Sequence, residues 1–182
     1  MSKFADSLKL DRALMALQKG DRDAIKVIYD VIGRQILALS DAILRDRSSA
    51  EDVLQETVIK IIEGIETYRS GGNAKAWILT IARNTALDMK KRRSHAAMLD
   101  IEEYANLDAE GFSYSPEDIG RRLMLEDALL TLDTVSRQIV ILRAVSGLKH
   151  AQIGKVLELS ADAVRKRYRR ALKRLAEIVE IE

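Results

Sequence analysis

The chain of 182 residues contains no cysteine and only one proline, and these absences exclude several kinds of protein. Without thiols it can form neither a disulfide framework nor a thiolate metal site. Glycine is sparse, with nine residues, and β-branched residues show little of the alternation that marks strands. We therefore predict an all-α fold.

Long apolar runs are also missing. No uninterrupted stretch approaches the roughly 20 residues of a membrane-spanning helix, and the first residues, Met-Ser-Lys-Phe-Ala-Asp, lack the apolar core of a signal peptide. We expect a cytoplasmic protein that does not insert into a membrane. Because the net charge is only +2, any affinity for DNA must come from local basic patches.

The residue patterns of common catalytic and metal sites are absent as well. His95 and His150 are the only histidines, and their separation matches no metal-ligand spacing. Asp52 and Glu56, at i and i+4, have the spacing for acid–base catalysis, but no metal-binding histidine or nucleophile is close to them in sequence. With no Gly-rich phosphate loop either, we expect no enzyme, cofactor or metal site.

The most informative stretch runs from Gly147 to Leu175. Ile153, Val156 and Leu157 form the apolar stripe of a short helix, and Ser160 can cap a second helix. The apolar seam of that second helix is formed by Val164, Tyr168, Ala171, Leu172, Leu175, Ile178 and Val179. Its other faces carry Arg165, Lys166, Arg167, Arg169, Arg170, Lys173 and Arg174. This pattern predicts a helix-turn-helix whose second helix enters a major groove of DNA.

A run of basic residues is more often only a solvated helix face. Here, however, the basic positions other than Arg167 avoid the apolar seam. No acids are interleaved among them, as helix-stabilising i, i+4 pairs would require. We therefore interpret the second helix as a DNA-reading helix.

These residues resemble the promoter-binding C-terminal domain of extracytoplasmic-function sigma factors of bacterial RNA polymerase. The resemblance rests on Gly147-Leu148, Ile153, Leu157, Leu159-Ser160, Val164, Arg167 and Arg170-Ala171. Lys149, Glu158 and Ala163 depart from it, because Ser, Gly and Thr are usual there. The resemblance implies that the minus-thirty-five element is bound by Arg165, Lys166, Arg169, Arg170 and Lys173.

The N-terminal half is predicted to hold four helices, at residues 5–19, 21–45, from Ser48-Ser49 onward, and 74–93. Overlapping capping boxes at Ser48 and Ser49 start the third helix, and Asn73 can cap the fourth. The residues expected to face inward include Ile25, Ile28, Tyr29, Ile32, Ile36 and Leu39 in the second helix, and Val53, Val58, Ile61, Ile62 and Ile65 in the third. Helical spacing puts Asp52, Gln55 and Glu56 on the opposite side of the third helix.

Two segments of this half resemble the sigma-factor domain that binds core polymerase and opens the promoter. The matching residues are Glu51-Asp52-Val53, Gln55-Glu56, Ala76-Trp77, Ile81-Ala82-Arg83-Asn84 and Ala86-Leu87-Asp88. The resemblance implies polymerase docking through Asp52, Gln55 and Glu56. It also implies minus-ten contacts by Tyr68, Asn73, Arg83, Asn84, Lys91 and Arg92. Without it, the acids form a solvent face, Asn84 is solvated, and Trp77 belongs to the core.

The chain divides into domains at residues 1–94 and 116–182, joined by an acidic linker at 95–115. Ser115-Pro116 is a strong helix start, and Asp133 can cap a further helix, with Ile139, Val140, Leu142 and Val145 facing inward. The resemblance implies that the linker threads the channel where nascent RNA runs.

The whole pattern predicts a two-domain transcription initiation factor. It binds bacterial core RNA polymerase and promoter DNA, melts the minus-ten element, and is itself controlled by an anti-sigma partner. The alternative is an ordinary helix-turn-helix repressor or activator that does not dock on polymerase. That alternative explains the C-terminal motif equally well, but not the Trp77-to-Arg93 helix with its basic end or the acidic linker.

Overall fold

The computed structural model describes residues 3–97 and 127–179, and within these ranges the regular structure is entirely helical. The predicted all-α class is confirmed. The elements are α1 (Lys3–Gln18), α2 (Ala24–Leu44), α3 (Arg47–Gly64), a one-turn 3-10 helix (Ile65–Thr67), α4 (Ala74–Ala97), α5 (Thr134–Ala144), α6 (His150–Leu157) and α7 (Ala161–Val179). Residues 127–130 are also helical.

Helix α3 begins at Arg47, earlier than the predicted start at Ser48-Ser49. The N-cap is Asp46, whose backbone is extended (φ −151°), and the Ser49 hydroxyl donates a hydrogen bond to its carboxylate. The prediction was wrong because Ser49 is already inside the first turn and buried.

Helix α4 continues to Ala97, three residues into the predicted linker. The remainder of that linker, residues 98–115, lies outside the described residues. So does the predicted helix start at Ser115-Pro116.

The N-terminal half is a bundle around α2, whose buried stripe follows helical spacing through Ile28, Ile32, Ile36 and Leu39. Tyr29 and Ile62 were predicted to face inward, but they are 52% and 41% exposed. Each is adjacent in sequence to the isoleucine that does occupy the core, Ile28 or Ile61, and a step of one residue turns a side chain by about 100°.

The C-terminal half packs α5, α6 and α7 together. Its buried residues include Ile139, Leu142, Ile153 and Val164, in agreement with the predicted stripes. Two residues predicted to be inward, Val145 and Leu172, are each 45% exposed. Val145 follows the last residue of α5, and Ala171 takes the buried position beside Leu172.

The two halves are in direct contact, and their buried side chains form one continuous core. Arg137 of α5 is buried and donates from Nη1 to the carbonyl of Ala42 in α2 at 3.1 Å. The same guanidinium also donates to the carbonyls of Leu129, Leu130 and Leu132. The buried Lys75 of α4 donates to the carbonyl of Ser146 at 3.2 Å. Burial lowers the pKa of Arg137, and its carbonyl partners offset the cost of burying this charge.

Candidate nucleic-acid and protein interfaces

A cleft of about 310 Å³ lies between the end of α3 and the middle of α4. It is lined by Lys60, Gly64, Thr67, Trp77, Ile81, Asn84 and Thr85. Lys60 Nζ donates to Thr85 Oγ1 at 3.1 Å and so fixes one wall, while Asn84 is exposed at the rim. The cleft thus combines an aromatic ring, an amide and a cation.

The loop at 67–73 adjoins this cleft and is held in place by side-chain contacts. Tyr68 is only 3% exposed, its ring lies 5.1 Å from that of Trp77, and its hydroxyl donates to Asp11. Asn73 Oδ1 accepts from the backbone N–H of Ala76 at 3.1 Å, which confirms its predicted capping role.

Tyr68 therefore has little exposed surface in this conformation, and the minus-ten contact predicted for it remains a prediction. The cause is burial: packing against Trp77 encloses the ring, and the hydroxyl is occupied by Asp11. Burial, reinforced by that hydrogen bond, raises the pKa of Tyr68, so the phenol stays protonated. The minus-ten contact predicted for Asn73 remains a prediction.

The polar residues of α4 point in different directions. Asn84 and Lys91 are exposed and share one side of the helix through their i, i+7 spacing. Arg83 is half-buried and donates from Nε to Gln138 Oε1 of α5 at 3.2 Å. Arg92 Nη2 lies 3.4 Å from Glu56 Oε2. In this conformation the structure therefore groups Asn84 with Lys91, and turns Arg83 and Arg92 to protein partners.

The predicted acidic patch on α3 divides in the same way. Asp52 and Gln55 are exposed, whereas Glu56 is half-buried and lies 2.9 Å from Lys60 Nζ. The hydrogen bond from Lys60 lowers the pKa of Glu56. Ile59 and Ile62 follow Asp52 and Gln55 along the same side and are 53% and 41% exposed. The exposed stripe of α3 is thus part polar and part aliphatic.

Helices α6 and α7 meet in a tight turn whose geometry fixes their relative direction. Glu158 has a positive φ of 58° at the position where the resemblance leads one to expect Gly. The N–H of Leu159 donates to the carbonyl of Gly154 at 2.9 Å, and a Cβ at Gly154 would lie 2.5 Å from Leu159 O. Ser160 Oγ accepts from the N–H of Ala163 at 3.1 Å, which confirms the predicted cap.

The basic residues of α7 predicted to meet DNA are all exposed: Arg165, Lys166, Arg169, Arg170 and Lys173. Acids lie at both ends of this series. Arg165 Nη1 is 2.7 Å from Asp162 Oδ1, and Lys173 Nζ is 4.0 Å from Glu177 Oε1. Both acids flank the series, and no acid lies between Arg165 and Arg174.

Both halves of the chain match regions of known protein families. The profile described as "Sigma-70 region 2" matches residues 28–96, and the profile "Sigma-70, region 4" matches residues 122–175. The sigma factor BldN of Streptomyces coelicolor is 28% identical over 96% of this chain and 67% of its own length. SigW of Bacillus subtilis is 25% identical over 90% of this chain and 92% of its own. The chain belongs to the extracytoplasmic-function sigma factors.

Two solved structures show the same fold. CnrH, solved with the cytosolic domain of CnrY, matches with a TM-score of 0.68 at 21% identity and covers 98% of this chain and 99% of its own. RpoE of Bartonella quintana, solved with the anti-sigma factor NepR, matches with a TM-score of 0.69 at 24% identity over 86% and 97%. Both likenesses support the all-helical arrangement described above.

This sigma factor is a transcription initiation factor that binds RNA polymerase and promoter DNA and directs the polymerase to promoters. The repressor or activator alternative loses its support, because region 2 accounts for the half that such a regulator would leave unexplained. In the ranges that the structure describes, no helix is both long enough and apolar enough to cross a membrane.

Several residues of these surfaces were not predicted from the sequence. Trp77 fell in the apolar stripe of α4 and was assigned to the core, yet it is half-buried and forms a wall of the cleft. Lys60 carried no signal of its own. Gln138 of α5, which holds Arg83, and Asp11 of α1, which holds Tyr68, are 55 and 57 residues away from their partners. Only the packing of distant helices brings such pairs together.

Proposed function

We propose that the cleft beside Trp77 receives an unpaired base of the minus-ten element and that Asn84 reads the edge of that base. The observation that carries this proposal is the lining of the cleft, in which a half-buried indole lies beside an exposed amide. Stacking of a base on an aromatic side chain is worth about 1–3 kcal/mol. An asparagine amide offers both a donor and an acceptor.

Capture of a base also explains how a factor without an ATPase motif helps to melt DNA. Unstacking and unpairing one base costs a few kcal/mol, which stacking on Trp77 and a hydrogen bond to Asn84 together offset. The cleft of about 310 Å³ lies at the lower end of the range of small-ligand pockets. It suits one base and not a longer single strand.

Lys91 is the member of the basic end of α4 best placed for a phosphate. Arg92 pairs with Glu56, Arg93 Nη1 lies 2.7 Å from Asp46 Oδ2, and Lys90 donates to the carbonyl of Ile43 at 3.5 Å. Lys91 is exposed on the same side as Asn84. A contact from Lys91 to the backbone would position the strand without reading its sequence.

The experiment compares Asn84→Ala with Asp30→Ala, a change at an exposed position of α2. Open-complex formation is followed by permanganate footprinting on promoters that carry each base at every minus-ten position. We expect Asn84→Ala to spare duplex binding, to reduce discrimination at one position and to slow opening, while Asp30→Ala behaves as the parent. If Asn84→Ala opens every minus-ten variant as the parent does, Asn84 is only a solvated helix residue.

For the minus-thirty-five element, the proposal assigns base reading to Lys166, Arg169 and Arg170, with Arg165 beside them. These residues project from α7 away from Val164 and Ala171, which are 0% and 2% exposed and fix the buried side. Lys173, further along the helix, is assigned to phosphate. Bidentate arginine contacts to guanine are the commonest specific contacts in a major groove.

For polymerase, the proposal assigns docking to the α3 stripe, defined by Asp52, Gln55, Ile59 and Ile62. Exposed aliphatic side chains beside polar ones are characteristic of protein-binding surfaces. Glu56, predicted to belong to this surface, contributes at its edge while it pairs with Lys60. The factor acts as a binding protein and not as an enzyme, in the cytoplasm with its polymerase.

An anti-sigma protein is the proposed regulator. The similar structures of CnrH and RpoE are described as complexes with CnrY and with the anti-sigma factor NepR. This chain has no cysteine with which to sense redox state itself. Expression without its neighbouring genes should give promoter activity that falls when those genes are restored; unchanged activity would count against the proposal.

A further inference from the structure

Helix α1 lies before the part of the chain that matches the region 2 profile, yet it holds the loop beside the cleft. Asp11 of α1 accepts hydrogen bonds from the Tyr68 hydroxyl and from Ser70 Oγ at 2.9 Å. One carboxylate thus holds two residues of the loop, Tyr68 and Ser70, through their side chains.

A second side chain of α1 holds the start of the same loop. Gln18 Nε2 donates to the carbonyl of Ile65 at 3.1 Å and to that of Tyr68 at 3.3 Å. The loop needs such anchors because it contains Gly71, with φ +81°, and Gly72. Glycine leaves a backbone with many accessible conformations.

A chain of contacts connects Asp11 to the cleft. Asp11 fixes the hydroxyl of Tyr68, the Tyr68 ring packs at 5.1 Å and 56° against Trp77, and Trp77 forms a wall of the cleft. The hydrogen bond from Tyr68 is the main cause that lowers the pKa of Asp11. The carboxylate is therefore ionised at neutral pH and accepts charge-assisted bonds, which are the stronger kind.

We infer that Asp11 is a positioning residue for minus-ten selectivity, acting through Tyr68 on Trp77 without contacting DNA. The inference rests on the proposed role of the cleft. Base capture by a preformed wall loses little conformational entropy on binding, whereas a loose wall must be ordered at the moment of capture. Loss of the Asp11 anchor should therefore reduce selectivity and slow opening together.

The test uses Asp11→Asn in the full chain, reconstituted with core polymerase, with Asp6→Asn of the same helix as the matched control. The amide keeps the shape of the carboxylate, but it is neutral and has one acceptor oxygen where the carboxylate has two. We expect selectivity at one minus-ten position to fall about tenfold, the size of one charge-assisted bond. Binding to core polymerase and to minus-thirty-five duplex should stay parental, as should every property of Asp6→Asn.

A second variant removes the same contact from the other side. Tyr68→Phe should also reduce selectivity, and the double variant should be no worse than Asp11→Asn alone, because the Tyr68 hydroxyl acts through Asp11. Additive losses would overturn the inference, and so would an equal slowing on all minus-ten sequences, which is the mark of general destabilisation.

The outcomes also separate this inference from the proposed function. If Asn84→Ala loses selectivity while Asp11→Asn keeps it, the cleft stands and the inference about Asp11 is overturned. If neither variant loses selectivity, the cleft does not capture a base, and both fail.

Discussion

Two isoleucines on α3 lie where a helix in contact with water usually carries polar residues. Ile59 and Ile62 are 53% and 41% exposed and continue the line of Asp52 and Gln55. Because Ile59 is largely exposed already, polar substitution there should change the free energy of unfolding by no more than about 0.5 kcal/mol. A large effect on polymerase binding would therefore report an interface.

We predict that Asp52→Lys combined with Ile59→Ser weakens binding to core polymerase by at least about 2 kcal/mol, the size of an interface hot spot. Binding is measured by titration of labelled factor, with circular dichroism as the check on folding. Asp127→Lys, a charge reversal in the other half, should bind as the parent. Normal holoenzyme formation by the double variant would mean that the α3 stripe is merely solvated.

Glu56 is a poorer test of docking than its position in the sequence suggested. It pairs with Lys60 at 2.9 Å and with Arg92 at 3.4 Å. A lysine at position 56 would therefore bring three cations together and change the packing of α3 against α4. A defect in that variant would not distinguish lost docking from lost structure.

Asp46 gives this protein a stability that depends on pH. The Ser49 hydroxyl donates to it and Arg93 lies 2.7 Å away, and both lower the pKa of Asp46, the Ser49 bond most strongly. A carboxyl whose pKa is lower in the folded state stabilises the fold above its unfolded pKa of about 3.9. That stability is lost as the pH falls through the lower, folded value.

We predict that Asp46→Asn lowers the free energy of unfolding at pH 7 by roughly 1–2 kcal/mol. The difference from the parent should narrow as the pH falls below about 3.9, because the parent then loses the same charge. Urea denaturation at pH 7, 5 and 3 measures this difference in the free energy of unfolding, with Asp30→Asn as an exposed control. A difference that is constant with pH would show that ionisation of Asp46 contributes nothing.

At the scale of elements, the turn between α6 and α7 carries a residue in an unfavourable conformation. Glu158 has φ 58° and ψ 42°, and an L-residue in this left-handed region is disfavoured by roughly 1–2 kcal/mol. Glycine adopts this conformation without that cost, although its greater conformational entropy in the unfolded chain partly offsets the gain in stability.

Glu158→Gly should therefore raise the free energy of unfolding, by about 0.5–1 kcal/mol after that entropy is counted. Glu158→Ala keeps a Cβ in the left-handed region and should give no such gain. Urea denaturation of both variants at neutral pH decides the matter. Equal effects of Gly and Ala would assign the change to the lost carboxylate and not to the backbone.

Helix α7 should make two kinds of DNA contact, and their removal should have different effects on binding. Arg169→Ala or Arg170→Ala should each cost about 1–3 kcal/mol and relax specificity at one minus-thirty-five position. Lys173→Ala should weaken binding evenly and reduce the salt slope by roughly 0.9 on duplex.

Salt titrations on a panel of minus-thirty-five sequences measure both effects, with Lys26→Ala as a control cation in the N-terminal half. If both arginine variants keep the parental preference among minus-thirty-five sequences, α7 does not dock as proposed.

At the scale of the molecule, the arrangement in which the two halves are in contact, called closed here, is too short to reach both promoter elements at once. The names minus-ten and minus-thirty-five place the two promoter elements about 25 base pairs apart, which is about 85 Å of duplex. A compact chain of this length has a radius of gyration of roughly 16 Å and a diameter of roughly 40 Å. Arg83, moreover, is held by Gln138 of the other half. The two halves must therefore separate before both elements are bound.

We predict that α2 and α6 move apart by several tens of ångströms when the factor joins core polymerase. Because the chain has no native cysteine, Asp30→Cys and Lys155→Cys allow clean labelling for energy transfer. High transfer in the free factor and low transfer in holoenzyme are expected.

The outcome that contradicts this prediction is equal transfer in both states. Gln138→Ala serves as a further check, because it frees Arg83 and leaves the sequences of the labelled helices unchanged. It should shift the free factor toward low transfer, and a variant that stays fully closed would show that the Arg83 contact contributes little to closure.

Local patterns in the sequence are enough to predict the helices of this protein. Helical periodicity, the caps at Asn73, Asp133 and Ser160, and the basic face of α7 depend on residues a few positions apart, so each can be recognised locally. The caps at all three positions accept the expected backbone N–H groups.

Which of these residues are buried depends on how distant helices pack. Tyr68 is buried because Trp77 and Asp11 enclose it, and Arg83 turns inward because α5 brings Gln138 to it. Neighbouring isoleucines such as Ile61 and Ile62 have the same hydrophobicity, and the docking of α3 on α2 selects which of them is covered. Burial depends on contacts between residues tens of positions apart, and no local pattern encodes the direction from which a distant helix will arrive.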